Sequence, residues 1–183
     1  MMKFEIRWMK PWNVQKKIFH SLVISFSLFI NLANAETISG VAKIIDADTI
    51  KINNNKIRLF GIDAPELDQL CKKKYLSIII FSFYKNYKCG EESALILKKY
   101  LNDKLIKCNI QGKDRYKRYI AICYKNNKDI GSWLVNKGYA VSYRKYSKKY
   151  LNEEIYAKKN KLGIWQGKFE MPWNWRKKNK FKK

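Results

Sequence analysis

The sequence predicts an α+β domain built around a five-stranded barrel, and the order of its apolar segments is the main reason. Three short β-rich segments come first, at Thr37–Ile45, Thr49–Ile52 and Lys56–Ile62. A helical segment follows them, then two more β-rich segments and two further helices. Five short strands with a helix inserted between the third and fourth is the arrangement of an OB-fold barrel. We therefore predict an OB-fold five-stranded β-barrel with three helices.

Turn residues separate the first three strands. Asp46-Ala47-Asp48 lies between the first two strands, and Asn53-Asn54-Asn55 lies between the second and third. Asp and Asn favour tight turns because their side chains bond to nearby backbone and tolerate left-handed conformations. Pro65 then ends the third strand, since proline cannot donate to a central ladder. This meander brings Asp48 and Asp63 to the same end of the sheet.

The remaining elements follow from helical and strand patterning. The predicted strands are Leu105–Ile110 and Tyr119–Tyr124, and the predicted helices are Glu91–Leu101, a segment from Asp129 to Gly138, and Tyr150–Lys159. Apolar residues recur at helical spacing in the first helix, and Asp129 is a suitable N-cap for the second. No internal repeat interrupts this order.

The N-terminal segment has the features of an export signal. Basic residues precede an uncharged apolar run, Ile18–Leu32, and Ala33-Asn34-Ala35 matches a cleavage site. The run is shorter than the about 20 residues of a membrane span, although an uncleaved anchor is the alternative. We expect a signal peptide over residues 1–35, one domain over 36–168, a basic aromatic tail over 169–183, and a secreted or periplasmic protein.

The charge balance favours polyanionic partners and excludes several chemistries. The chain has 39 Lys plus Arg against 15 Asp plus Glu, a formal charge of +24. Such a field attracts nucleic acid, anionic lipid or acidic glycan. The one histidine, His20, lies in the predicted signal. The mature chain would therefore have no histidine base, histidine metal ligand or Ser-His-Asp triad.

The cysteines predict two disulfides. The four cysteines are Cys71, Cys89, Cys108 and Cys123. An even count in an exported chain indicates disulfides, and no C-x-x-C spacing suggests zinc. If the hairpin of the last two strands turns between residues 115 and 116, Cys108 faces Cys123 within disulfide range. We therefore predict this pair together with Cys71–Cys89.

Residues 67–89 have the least regular pattern. Our interpretation is a loop pinned by its cysteines, with Ile78–Phe81 packed on the protein body. The alternative is an exposed patch that contacts a membrane or a partner. We expect a monomer without a stable protein partner, and transient membrane contact through residues 78–81 stays open.

Acidic and basic residues suitable for phosphate chemistry gather near the end of the meander. Asp48, Asp63 and Glu66 offer the oxygen ligands that a hard cation such as calcium prefers, although turn acids are often only solvated. Arg58 and Arg118 offer planar forks that match phosphate oxygens. A metal with two arginines would anchor a phosphodiester and stabilise the charge that develops during hydrolysis.

Several motifs in order resemble the staphylococcal nuclease (thermonuclease) family. Val41–Glu66 contains V-A-K-I-I-D-A-D-T-I-K-I and I-R-L-F-G-I-D-A-P-E, which resemble the opening of that family. Asp114–Arg118 resembles its D-x-Y-G-R motif, Gly131–Ala140 its W-L-V-x-x-G-x-A segment, and Leu162–Trp165 its L-G-I-W. The likeness covers residues 37–167.

The resemblance implies a calcium-dependent nuclease acting on DNA, RNA or both. In the family's scheme Asp48 and Asp63 hold calcium by their side chains, and Ala64 does so by its backbone carbonyl. Ala64 replaces a threonine, which matters little because only the main-chain oxygen is needed.

The resemblance also implies the catalytic roles. Arg58 binds the scissile phosphate, Glu66 positions or deprotonates the attacking water, and Arg118 binds phosphate and assists the leaving oxygen. Lys117 replaces a glycine, which would strain this turn if the position has positive φ.

Two other functions compete with this interpretation. A non-catalytic OB-fold module would bind nucleic acid through its basic groove and aromatic residues without cutting it. A cationic membrane-active protein would account for the charge and for residues 78–81, but not for the acids and arginines.

Overall fold

The computed structural model of the protein describes residues 36–179, which belong to one compact unit. The predicted signal peptide and the last residues of the predicted tail lie outside the described residues. The strands are β1 (Thr37–Ile44), β2 (Thr49–Ile52), β3 (Asn55–Leu59), β4 (Ile62–Asp63), β5 (Leu70–Ile78), β6 (Phe81–Lys88), β7 (Leu105–Lys113), β8 (Tyr119–Lys125), β9 (Lys128–Asp129), β10 (Val141–Ser142) and β11 (Gly167–Lys168). The α-helices are α1 (Cys89–Leu101), α2 (Ile130–Asn136), α3 (Leu151–Lys159) and α4 (Pro172–Asn179), and Gly163–Gln166 forms a 3-10 turn.

Five strands close into the predicted barrel. They follow the order β3-β2-β1-β7-β8, and β3 also pairs with β8, which closes the sheet. The closing pair is parallel, with Ile57 opposite Tyr119, whereas the other pairs of barrel strands are antiparallel. The predicted α+β fold with an OB-type barrel is confirmed. The three predicted helices are present, and α4 is an additional helix within the predicted basic aromatic tail.

Strand alternation fills the barrel with aliphatic side chains and directs one arginine away from them. Ile57 and Leu59 of β3 are buried, whereas Arg58 between them is only half-buried. Successive side chains of a strand point to opposite faces, so Arg58 lies on the other face from its neighbours. The helix α1 covers the barrel with Leu97 and Leu101, which join the same core. In the described part of the chain no helix is both long and apolar enough to cross a membrane.

The predicted disulfide between β7 and β8 is present, although the assumed turn was wrong. Cys108 lies directly opposite Cys123, with 4.0 Å between their Cα atoms. Near the turn, however, Lys113 pairs with Tyr119, so the hairpin turns around residue 116. A bulge between Ile110 and Gly112 shifts the register by one residue and restores the pairing of the cysteines.

The segment 67–89 is a β-hairpin, which corrects the prediction of a loop packed on the body. β5 and β6 pair along their length, and β11 adds a short third strand next to β5. Cys71 and Cys89 close the base of this hairpin as predicted, with 5.6 Å between their Cα atoms. The apolar residues 78–81 lie at the far end and are exposed. The β-alternation of this lysine-rich segment is too irregular to distinguish a hairpin from a loop by sequence alone.

Candidate active site

Asp48 is buried at the turn between β1 and β2, where local bonds fix its carboxylate. Its backbone N–H donates to Asp46 Oδ1 at 2.9 Å, which forms the turn. Its Oδ1 accepts from Thr49 Oγ1 at 2.9 Å, and its Oδ2 accepts from the backbone N–H of Ala64 at 3.1 Å. Burial, followed by the charge of Asp48, raises the pKa of Asp46 to about 7. The turn therefore fixes the backbone of Asp48, and the bond from Ala64 connects its carboxylate to the end of the meander.

Asp63 is fully buried and lies in the short strand β4. It pairs with Val141 of β10, whose next residue, Ser142, donates its backbone N–H to Glu154 Oε2 at 2.8 Å. Glu154 is itself buried and also accepts from Arg144 Nη2 at 2.8 Å. The helix α3 thus holds β10, and β10 holds Asp63 in place.

Arg58 joins the two aspartates. Its Nη1 lies 2.7 Å from Asp48 Oδ1, and its Nη2 lies 2.7 Å from Asp63 Oδ1. Burial alone would lower the pKa of Arg58, but the two carboxylates raise it above its ordinary value. The prediction that Asp48 and Asp63 meet at one end of the sheet is therefore confirmed, and Arg58 meets them there.

Glu66 lies beside this cluster at the start of the hairpin. Its backbone oxygen accepts from Gln69 N at 2.8 Å, and its N–H donates to Gln69 Oε1 at 3.3 Å. Gly90, in the first turn of α1, packs directly on it, because a Cβ there would lie 1.7 Å from Glu66 O. The backbone of Glu66 is therefore held on two sides, while 34% of its side chain is exposed.

Arg176 of α4 also reaches the acids, although no motif in the sequence predicts it as a site residue. Its Nη1 donates to Glu66 Oε1 at 2.8 Å, and its Nη2 donates to Asp63 Oδ2 at 2.7 Å. Burial would lower the pKa of Arg176, but these bonds raise it beyond its usual range. Burial raises the pKa of Asp63 in spite of its two arginine partners. Pro172 at the first position of α4 was the available signal for a helix, but sequence spacing does not relate Arg176 to residues so distant.

The helix α4 is docked firmly enough to define the position of Arg176. The ring of Trp173 stacks on Tyr143, with centroids 5.6 Å apart and planes at 7°. Gln69 Nε2 donates to the backbone oxygen of Glu170 at 2.7 Å, just before the helix. Gln69 therefore contacts the backbone of Glu66 and the segment that carries Arg176.

Arg118 lies immediately before β8, the strand that pairs with the strand of Arg58, but it does not share the ion pairs of Arg58. Its Nη2 lies 2.7 Å from Asp114 Oδ2, and these bonds lower the pKa of Asp114 although burial opposes them. Arg58 is paired with Ile120, so Arg118 lies two positions before the residue opposite Arg58. Lys117 has φ of 62°, which is the left-handed conformation that favours glycine.

The donor set fits a hard cation by its chemistry. Asp48 and Asp63 are buried carboxylates that converge on one guanidinium, and oxygen ligands of this kind suit calcium. Both oxygens of Asp63 also accept bonds from Arg176. Over residues 36–179 no three acidic, histidine or cysteine side chains are grouped as a ready metal site. A cation at this place would therefore share Asp63 with the arginines or displace them.

Comparisons with known proteins agree with the motifs. The model of the family described as "Staphylococcal nuclease homologue" matches residues 56–167. Succinoglycan biosynthesis protein ExoI of Rhizobium meliloti is 35% identical over 139 residues, 74% of this chain and 69% of that protein. An uncharacterized endonuclease of Haemophilus influenzae is 28% identical over 174 residues, 91% of this chain and 88% of its own length.

A plant protein is also similar to this chain over part of its length. The probable staphylococcal-like nuclease CAN2 of Oryza sativa is 30% identical over 133 residues, which are 71% of this chain but 31% of that protein. The match to this rice protein thus covers under a third of its length. On the family match, which spans more than half of the chain, the protein belongs to the staphylococcal nuclease family.

Proposed function

We propose that the protein hydrolyses phosphodiester bonds of DNA, RNA or both in a calcium-dependent reaction outside the cytoplasm. The observation that carries the proposal is the bridge from Arg58 to Asp48 and Asp63, with Glu66 beside it. Membership of a nuclease family and the formal charge of +24 support a polyanionic substrate. The two disulfides suit an oxidising compartment.

The proposed cation ligands are the side chains of Asp48 and Asp63 and the backbone carbonyl of Ala64. When bound, calcium would supply positive charge that polarises a phosphate oxygen. The protein's part is to hold these oxygens in a fixed arrangement: the Asp46 turn and the Ala64 N–H fix Asp48, and β10 fixes Asp63.

Arg58 is the proposed phosphate ligand at the reacting centre. Its fork can exchange its carboxylate partners for two phosphate oxygens without moving the strand that carries it. Its contact would strengthen as the phosphate gains charge in the transition state, which lowers the barrier to hydrolysis. We assign Arg118, which lies immediately before the neighbouring strand, to a second phosphate contact and to the leaving oxygen.

Glu66 is the proposed general base. Its side chain is partly exposed, so water can reach it. Arg176 binds Oε1, and we therefore assign Oε2 as the atom that accepts the proton of the attacking water.

A non-catalytic nucleic-acid-binding module is the second candidate. The observation that favours it is the pairing of every proposed acid with arginine, which would also serve a purely structural cluster. In that case the OB-type barrel and its positive charge would bind nucleic acid without cutting it.

Digestion assays separate the two candidates. Purified protein is incubated with plasmid, single-stranded DNA and RNA in calcium, with and without EDTA, beside Arg58→Ala. The proposal predicts EDTA-sensitive cleavage that the variant largely loses. Binding in a mobility-shift assay without any cleavage would instead identify the binding module.

A further inference from the structure

The tip of the β5–β6 hairpin exposes an aliphatic surface to water. The last pair of the ladder is Ile78 with Phe81, and the turn between them is Ile79-Ile80. Ile79 is 96% exposed and Ile80 is 83% exposed. The other large apolar residues exposed along the hairpin's outer half are Tyr75, Leu76, Ile78, Phe81 and Phe83. A contiguous patch of this kind on a hairpin end marks an interaction site.

The turn itself is poorly suited to a hairpin that only connects two strands. Ile79 has φ of 49°, a conformation in which a β-branched residue is an outlier. Two-residue hairpin turns prefer glycine or asparagine at such positions, because these residues adopt positive φ with little strain. Two isoleucines therefore cost stability in the turn and expose apolar area. A partner that covers the tip would offset both costs.

Lysines surround the hairpin below its apolar tip. From residue 69 to residue 88 no acidic residue occurs, and the lysines are Lys72, Lys73, Lys74, Lys85 and Lys88. Lys168 of β11 pairs with Lys72 and places its ammonium 4.8 Å from the centre of the Tyr84 ring. Lys74 lies five positions before Ile79, which is about 15 Å along a strand. These lysines form a positively charged ring around the hairpin between its apolar tip and its base, which we call the lysine collar.

We propose that this hairpin inserts its tip into the interface of an anionic phospholipid bilayer. Apolar side chains of interfacial segments enter about 5–10 Å into the headgroup and acyl boundary, which the four residues 78–81 can span. Long lysine side chains then reach the anionic headgroups while their stems follow the apolar surface. The disulfide joins the base of the hairpin to the first residue of α1, and β11 pairs with β5 beside that base, so the base of the hairpin is fixed.

The chemistry of the tip favours lipid over nucleic acid and over a second copy of the chain. Single-stranded nucleic acid is bound by aromatic planes on which bases stack. The two most exposed side chains of the tip, Ile79 and Ile80, are aliphatic, whereas the aromatic residues Tyr75, Phe81 and Phe83 lie on the strands on either side of them. Two copies meeting tip to tip would bring their lysine collars together, and like charges oppose that contact. A bilayer supplies both the apolar phase and the opposite charge.

Vesicle co-sedimentation of the full chain tests the proposal. Vesicles of phosphatidylglycerol and phosphatidylcholine are compared with pure phosphatidylcholine, using the wild type and a variant with Ile79→Asn and Ile80→Gly. The substituted turn favours the hairpin, so the variant keeps its fold while losing the apolar tip. We expect wild-type binding to the anionic vesicles and binding at least roughly tenfold weaker in the variant.

Two further measurements make the outcome specific. Exchanging Lys72, Lys73 and Lys74 for Gln should weaken binding to anionic vesicles by roughly fivefold for each lysine. The variant Ile80→Trp places a fluorescent side chain at the tip. The fluorescence emission of this tryptophan should shift to the blue when anionic vesicles are added.

Several results would overturn the inference. Equal vesicle binding by the wild type and the tip variant would show that charge alone causes the binding. Absence of binding by the wild type would exclude a bilayer as the partner of the tip. A wild-type dimer in light scattering that the tip variant converts to a monomer would assign the tip to a second copy. A loss of affinity for nucleic acid in the tip variant, with vesicle binding unchanged, would assign it to the substrate.

Discussion

Arg176 Nη2 lies 2.7 Å from Asp63 Oδ2, so the last described helix is joined to the buried acid at the end of the meander. The same guanidinium holds Glu66 through Nη1 at 2.8 Å. Arg58 occupies the other side of Asp63. Two arginines that are far apart in the sequence therefore pair with acids that we assign to metal binding and to proton transfer.

The Arg176 contact predicts opposite effects of Arg176→Gln on stability and on calcium affinity. The variant should lose about 1–2 kcal/mol of unfolding free energy, since the ion pair is partly exposed and Asp63 keeps Arg58. Its affinity for calcium should rise, because a competing positive charge is removed from Asp63. Thermal melting with and without calcium and calorimetric titration measure both effects.

Lys178→Gln is the matched control on the same helix. Lys178 pairs with Glu170 at 2.8 Å, but its side chain is 73% exposed, so its loss should change neither quantity measurably. Calcium affinity that is unchanged or lower in Arg176→Gln would contradict competition between Arg176 and the cation.

Arg58→Ala should lower turnover far more than substrate binding. The contact with phosphate strengthens as charge develops, so a loss of about 10²-fold or more in kcat is expected, as for other single charge-stabilising donors. Lys56→Ala, an exposed neighbour on β3, is the control. Arg58→Lys should recover little, since an ammonium cannot replace a bridging fork. An effect confined to KM would rule out the assigned role.

Glu66→Gln should keep the shape of the site and remove its base. We expect calcium and DNA binding to stay close to those of the wild type while turnover falls. Turnover equal to that of the wild type would show that Glu66 is not the general base.

Lys117→Gly should stabilise the protein by about 1 kcal/mol or somewhat less. A lysine with positive φ at this turn is sterically strained, whereas a glycine is not. Glycine loses more conformational entropy on folding, which offsets part of the gain. Asn53→Gly is the control, because Asn53 has φ of 52° but asparagine tolerates that conformation. Denaturant unfolding measures both variants, and a destabilised Lys117→Gly would show that the side chain makes contacts worth more than the strain.

Local signals in the sequence were sufficient for the barrel and for most of the candidate site. Turn residues at 46–48 and 53–55 define the meander, and a meander necessarily brings Asp48 towards Asp63. The pairing of Cys108 with Cys123 was right in spite of a wrong turn, because the bulge beyond Ile110 compensates for the shift. Such a bulge has no clear local signature in the sequence, so the register of two paired strands is harder to predict than the presence of the strands.

The features that the sequence does not predict depend on packing between residues far apart in the chain. Arg176 is one of many basic residues in the tail, and only the docking of Trp173 on Tyr143 selects it for the site. The exposed tip was assigned to the body because a run of isoleucine is usually buried. Hydrophobicity alone does not distinguish a buried segment from one that binds a partner.

The most direct test of the proposed function is the rate of plasmid cleavage in calcium, followed by EGTA with excess magnesium. A site with two carboxylates and a carbonyl suits a large, flexible cation better than one that demands octahedral geometry. We predict rapid cleavage in calcium and loss of nearly all activity in EGTA with magnesium, restored by added calcium. Undiminished cleavage in EGTA with magnesium would contradict the calcium-dependent mechanism.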